Sequence, residues 1–248
     1  MDQKRIATGI NGLDTMLHGG FVPGSSILVR GAPGTGKTTL AFHYLAHGIK
    51  QGARGLMISF EEFPASLYRD AESLGWDLRA LEADDKLHMM FTSPGVFLRG
   101  LEATDGPINR LLHGHDIKRV ALDSLTHFVR MANDPHELRH IYNRVINGLK
   151  RAGITSMFLG EEIGTRQATN RVDSLPFVVD CMVLMRYLEI ESSIRRAILV
   201  LKMRSSAHDT AIHSYTIGKG GIKIGAALTG HSGLLSGLAS HSIISSVR

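Results

Sequence analysis

The run Gly31-Ala32-Pro33-Gly34-Thr35-Gly36-Lys37-Thr38 has the residue types and spacing to hold a phosphate. It fits the pattern G-x-x-x-x-G-K-S/T, in which each fixed position has a task. The glycines let backbone N–H groups close around phosphate oxygens that a side chain would keep away. Lys37 reaches the β- and γ-phosphates, and the Thr38 hydroxyl ligates Mg²⁺. Thr39 completes the cradle. Residues 26–30 read as a short buried strand and residues 39–49 as a helix, so the order strand, glycine loop, helix aims a helix N-terminus at an anion. ATP with Mg²⁺ is the expected ligand pair.

Such a loop needs a second acid for the metal at the end of a neighbouring strand. Val120-Ala121-Leu122 runs into Asp123, which is placed to hold Mg²⁺ through a water. Hydrolysis also needs a group that orients or deprotonates water. Glu61 and Glu62 follow the apolar run 56–60. Strand residues alternate between faces, so one of the pair is expected to face the phosphate. Which one is left open. Two carboxylates this close raise one another's pKa, which suits a base.

The elements that must position these residues alternate along the chain. Apolar, β-rich runs at 56–60, 87–91, 120–123, 156–160 and 181–187 are interleaved with helical patterns at 65–74 and 136–151. That alternation predicts an α/β fold with a mostly parallel sheet flanked by helices. Residues 196–202 and 212–217 follow with no helix between them and are expected as antiparallel strands at the C-terminal edge. A domain over 1–225 is expected, followed by a Gly/Ser/Leu-rich tail over 226–248, in which either Leu228, Leu234, Leu235 and Leu238 dock on the domain or a neighbour, or the tail is poorly ordered. The 248 residues are 43% hydrophobic and 21% charged, an ordinary globular balance. The start Met1-Asp2-Gln3-Lys4-Arg5 lacks the apolar core of a signal peptide, and the apolar stretch 175–190 is broken by Asp180, Arg186 and Glu189. A cytoplasmic protein without a membrane span is therefore expected. Cys181 is the only cysteine, which excludes an intrachain disulfide and a four-cysteine zinc site. The net charge of +5 contains no block of like charges and is a weak signal for nucleic acid.

Taken in order, the motifs resemble the KaiC-like branch of the RecA superfamily of ATPases. The similar segments are Thr8-Gly9-Ile10-Asn11-Gly12-Leu13-Asp14, Gly19-Gly20, Pro23-Gly24, Glu61-Glu62, Gly75-Trp76-Asp77-Leu78 and Asp123-Ser124-Leu125. Tyr187-Leu188-Glu189-Ile190 and Lys202-Met203-Arg204-Ser205-Ser206-Ala207-His208-Asp209 complete the set, over about residues 5–236. The resemblance implies a RecA-like core and Glu61 with Glu62 as the catalytic carboxylate pair. It implies Asp123 as the Mg²⁺-associated acid, and a homo-oligomeric ring, expected to be a hexamer. Lys202 and Arg204 would then act across the ring interface on the γ-phosphate held by the adjacent subunit. The clock proteins of that branch carry two such domains and autophosphorylate at a Ser-Thr pair. This chain carries one domain, and the matching positions are Pro176 and Phe177, so autokinase chemistry there is excluded. Thr169 and Ser174 lie nearby as candidate displaced sites. A regulatory or signalling role with an unidentified protein partner is expected.

Competing readings remain. The segment 163–174, with Arg166 and Arg171, occupies the place of a DNA-binding loop in RecA relatives, so a recombination mediator or helicase-like DNA-dependent ATPase is the main alternative. A third is a scaffold in which ATP mainly holds the ring together. His136-Glu137-Leu138-Arg139-His140 matches the zinc peptidase pattern H-E-x-x-H, with Glu161 or Glu162 as a third ligand. Leu138, Ile141, Val145, Ile146 and Leu149 define the buried face of that helix, leaving His136 outside and His140 near the edge. His113-Gly114-His115 is the other histidine pair. It reads as a polar loop without convergent carboxylates.

Overall fold

A computed structural model describes residues 4–161, 175–190, 192–229, 231–232 and 240–241. In chain order these form α1 (Asn11–Met16), β1 (Ser26–Gly31), α2 (Lys37–Lys50), β2 (Arg54–Ser59), α3 (Pro64–Leu74), α4 (Leu78–Ala83) and β3 (Leu87–Phe91). Next come α5 (Pro94–Glu102), α6 (Pro107–Gly114), β4 (Ile117–Asp123), a 3₁₀ segment (Leu125–Met131), α7 (Pro135–Arg151) and β5 (Thr155–Glu161). The next described elements are α8 (Leu175–Val178), β6 (Cys181–Ile190), β7 (Ser193–Met203), β8 (His213–Gly218) and β9 (Gly221–Ala227).

Among the described residues, nine strands form one sheet in the order β3-β2-β4-β5-β1-β6-β7-β8-β9. Its first six strands pair in parallel and its last three are added antiparallel. The expected architecture is therefore present, with β9 as a further strand beyond the β7–β8 pair. The central strands are continuous apolar runs because both faces are covered. Alternate side chains feed two cores: Ile27, Val29 and Ala121 point into the one shared with α1 to α4, and Leu28, Val120 and Leu122 into the one shared with α5 to α7.

Local chemistry explains the boundaries. Asp134 caps α7 by accepting from the Glu137 N–H (2.8 Å), Pro135 opens the first turn, and Lys150 and Arg151 close the last. The Thr8–Asp14 motif is a carboxylate clamp: Asp14 accepts from the Thr8 N–H, the Thr8 hydroxyl and the Gly9 N–H. At the C-terminal edge, the Leu228 N–H donates to the Ile212 carbonyl and the side chain packs on a small apolar cluster. Leu234, Leu235 and Leu238 lie outside the described residues.

Asp180 fastens the start of β6 to the start of β1. Its carboxylate accepts from the Ser26 N–H (2.8 Å) and hydroxyl (2.7 Å) and pairs with Lys150 of α7. Burial pushes this carboxyl upward, but the Lys150 and Ser26 hydrogen bonds prevail and hold it below its ordinary value. A depressed carboxylate stabilises the fold above its unfolded pKa, and that contribution is lost as pH falls through the folded value. Asp180→Ala is expected to lower the unfolding free energy by about 2–3 kcal/mol in urea titrations at neutral pH. The deficit against the parent should shrink at acid pH, where the parent carboxyl is itself protonated.

Candidate functional site

The glycine loop forms where β1 turns into α2. Gly36 has φ 91°, a left-handed conformation that a side chain disfavours, and acts as the N-cap of α2. At Gly31 a Cβ would collide with the Met185 carbonyl of the neighbouring β6, so the close strand approach requires glycine. No acidic residue occupies the first turn of α2, leaving its unpaired N–H groups and positive dipole end turned to the loop. The Lys37 amine folds back and donates to the carbonyls of Gly31 (2.9 Å) and Ala32 (3.2 Å). Burial pushes it below its ordinary pKa, opposed by the charges of Asp123 and Glu161. Thr35 is buried with its hydroxyl on the Ala32 carbonyl (2.8 Å), and its own carbonyl accepts from the Tyr215 hydroxyl of β8.

Sheet order brings the acids to this loop. β5 lies between β1 and β4, and β2 lies on the far side of β4. Asp123 ends β4 and accepts from the Thr38 hydroxyl at 2.9 Å, joining residues 85 positions apart. Burial pushes its carboxyl up and Glu61 adds to this, while the Thr38 bond, Lys37 and His127 pull it down. A hydroxyl and a half-buried carboxylate beside an ammonium are oxygen donors fitted to a hard divalent cation and phosphate. Thr38 and Asp123 could hold Mg²⁺, and Lys37 with the loop N–H groups could hold the phosphates.

The expected alternation at Glu61 and Glu62 does not apply. β2 ends at Ser59, and the chain bends so that both glutamate N–H groups face the Ser59 hydroxyl, at 3.4 and 3.0 Å. Both side chains are solvent-facing at the acid end of the site. Glu61 pairs with His127 Nε2 at 3.2 Å. Glu62 is pushed above its ordinary value by burial first, then by Asp123, Asp70 and Glu61.

Lys202 and Arg204 are not brought to the loop. β7 runs back along β6, so Met203 lies opposite Cys181, and Cys181 lies opposite Ile27 near the start of β1. The loop is at the other end of β1. Lys202 donates to the carbonyls of Pro176 (2.8 Å) and Val179 (2.7 Å), and Arg204 donates to that of Phe177 (2.7 Å).

Four residues have a place at the site that the sequence did not assign to them: Tyr187 beside Gly34, Tyr215 on Thr35, His127 on Glu61, and Glu161 as a charge acting on Lys37. The Tyr187 hydroxyl sits where it would lie 2.7 Å from a Cβ at Gly34. Glu161 ends β5 opposite Gly31. Tyr187 had a signal in the Tyr-Leu-Glu-Ile segment, and Glu161 had one as an acid at a strand end, read there as a possible zinc ligand. The places of Tyr215 and His127 depend on strand order.

The rival metal motif fares differently. His136 and His140 are exposed on α7, and the Glu137 carboxylate accepts from the Asn133 N–H (2.7 Å) and side-chain amide (3.0 Å). Among the described residues these histidines belong to no cluster of three metal-ligating groups. Glu162 and the segment 163–174, with Thr169 and Ser174, lie outside the described residues. No described helix is long and apolar enough to cross a membrane.

Sheet order, glycine loop and converging acid define a RecA-like P-loop protein. The KaiC ATPase family model matches residues 6–229, and the chain belongs to that family. It is similar to the circadian clock oscillator protein KaiC of Prochlorococcus marinus (strain MIT 9313), 32% identical over 231 residues that cover 90% of this chain and 46% of the relative. The protein of the same name from Thermosynechococcus vestitus (strain NIES-2133 / IAM M-273 / BP-1) is 34% identical over 236 residues, 94% of this chain and 45% of the relative. The chain thus spans about half the length of the relatives it matches.

Proposed function

We propose that this chain hydrolyses ATP, with Mg²⁺, at interfaces of a head-to-tail ring of identical subunits, a hexamer, and that it serves a regulatory role. The observation that carries this reading is the placement of Lys202 and Arg204 at the end of the sheet away from their own phosphate loop. Membership of the KaiC ATPase family supports the ATP chemistry. In this reading Lys37 and the N–H groups of Gly34, Gly36, Lys37, Thr38 and Thr39 bind the phosphates. Thr38 and Asp123, the latter through water, hold Mg²⁺, which would supply neutralisation of phosphate charge. Glu61 or Glu62 accepts the proton of the attacking water. Lys202 and Arg204 of one subunit stabilise charge developing on the γ-phosphate held by the next.

Exposed apolar side chains on both sides of the sheet, different on each side, are consistent with head-to-tail assembly, in which unlike patches meet. Phe63 and Phe91 stack in the open, with ring centroids 4.3 Å apart, on the β2–β3 side. Phe177, Ile194 and Leu201 are exposed on the β6–β7 side. Pro176 and Phe177 carry no hydroxyl, so the reading includes no autokinase step at those positions.

Particle mass by light scattering or native mass spectrometry, with and without ATP and Mg²⁺, tests assembly. A sixfold mass that depends on or is sharpened by nucleotide is expected for the hexamer. A monomer under all conditions that still turns over ATP at full rate would defeat the shared-site reading.

A further inference from the structure

At the end of the sheet away from the phosphate loop, three segments meet. They are the turn between α4 and β3, the first residues of β3, and the C-terminus of α6. Asp85 occupies the turn with φ 56°. His88 is on edge strand β3, opposite Leu56 near the start of β2. His115 is the residue on which α6 ends, so the His113-Gly114-His115 stretch closes a helix rather than forming a loop. The carboxylate that the sequence does not place beside His115 is supplied by Asp85.

Asp85 Oδ1 lies 3.0 Å from His115 Nδ1 and 3.4 Å from His88 Nε2. All three donor atoms lie within 4.8 Å of one another. The two imidazoles meet edge-to-face, with centroids 4.3 Å apart. His88 Nε2 is buried and has no hydrogen-bond partner. Asp85 Oδ1 faces it at 3.4 Å without making a hydrogen bond to it.

We propose that Asp85, His88 and His115 form a binding site for a divalent transition-metal ion of the Zn²⁺ class. Two imidazole nitrogens and a carboxylate oxygen are the donor set such ions take, whereas Mg²⁺ prefers oxygen and water. Tetrahedral bonds of about 2.0–2.2 Å separate neighbouring donor atoms by roughly 3.3 Å, and the two Asp85 distances bracket that spacing. The Asp85 and His115 side chains are 50% and 39% exposed, which leaves an entry path and room for water as a fourth ligand. Arg54 acts as an outer clamp. Its guanidinium lies 3.4 Å from the outer oxygen, Oδ2, of Asp85 and donates to the His115 carbonyl at 3.1 Å. The Asp85 turn and the end of α6 are thereby fixed, and Oδ1 is left facing the imidazoles. A bound ion would fasten edge strand β3 to the end of α6.

The test is Zn²⁺ uptake by the untagged, chelator-stripped chain, measured by competition with a chromophoric chelator and by the shift in melting temperature. Saturable uptake of a single ion per chain is expected, with no comparable response to Mg²⁺. His115→Ala and His88→Ala should each weaken Zn²⁺ binding by at least about tenfold, the lower bound for losing even an outer-shell partner. They should also remove the melting shift. His136→Ala/His140→Ala should leave affinity unchanged, and ATP binding by His115→Ala should equal that of the parent. His115 is partly exposed, and circular dichroism of that variant separates lost ligation from lost folding. No saturable uptake, or uptake unaffected by His115→Ala and lost in His136→Ala/His140→Ala, overturns the assignment.

Discussion

Lys37→Ala is expected to weaken ATP binding by about thirtyfold to several thousandfold, the range for removing one member of a buried charge pair. The fold should be left intact. The amine sits inside the loop, 2.9 Å from the Gly31 carbonyl and 3.2 Å from that of Ala32. Those are neutral partners for a full charge, and burial pushes Lys37 below its ordinary pKa despite the opposing charges of Asp123 and Glu161. The free protein therefore keeps an ammonium where it is disfavoured, and a triphosphate is the partner that would reverse the imbalance. Removing the amine should therefore cost binding much more than stability. Calorimetric titration with ATP and Mg²⁺ reads the first effect, and thermal unfolding, expected to move by only a few degrees, reads the second. Lys37→Arg should not restore affinity, because a planar fork does not fit where a point charge is enclosed by loop carbonyls. Affinity within about threefold of the parent in Lys37→Ala would place the phosphates elsewhere.

What the sequence revealed followed from burial. Runs such as Ile27-Leu28-Val29 and Val120-Ala121-Leu122 are apolar throughout because helices cover both faces, and they were legible as strands. β9 was not. Its sequence Gly-Ile-Lys-Ile-Gly-Ala-Ala is glycine-rich and largely solvent-facing on an edge, so it carries neither a buried run nor a clean alternation. The short helices α5 and α6 carry a local signal, Pro94 and Pro107 at their first turns after Ser93 and Gly106. The Thr38–Asp123 contact was legible because a motif fixes one partner and a strand end the other. The bend beyond Ser59 is a local backbone event that period-two reasoning cannot anticipate. Tyr215 on Thr35 and Asp85 beside His115 depend on which strands and turns become neighbours, and no pattern within either segment records that.

The position of Lys202 and Arg204 leads to the second large effect. Arg204→Ala is expected to leave ATP affinity near that of the parent and to cut turnover by about 10³–10⁵-fold, the usual worth of an arginine supplied to a transferring phosphoryl group. Glu61→Gln should also turn over slowly, from a defect at the other end of the sheet. Neither residue can compensate for the other within one chain, because reversal of the chain between β6 and β7 separates Arg204 from the loop. In a ring assembled at random from equal amounts of the two variants, about a quarter of the interfaces pair an intact Glu61 with an intact Arg204 from the neighbour. That fraction does not depend on ring size. Mixing two nearly inactive proteins should therefore restore turnover toward a quarter of the parent rate, provided subunits exchange, which fluorescence transfer between labelled chains would report. If exchange occurs and activity stays at the level of the separate variants, Arg204 does not act across the interface. Its bond to the Phe177 carbonyl, at 2.7 Å, would then be its whole role. A Lys202→Ala series distinguishes the two lysine roles in the same way. Recovery in the mixture would assign the amine to the neighbour's phosphate. Loss of stability without recovery would assign it to the Pro176 and Val179 carbonyls that it holds in the single chain.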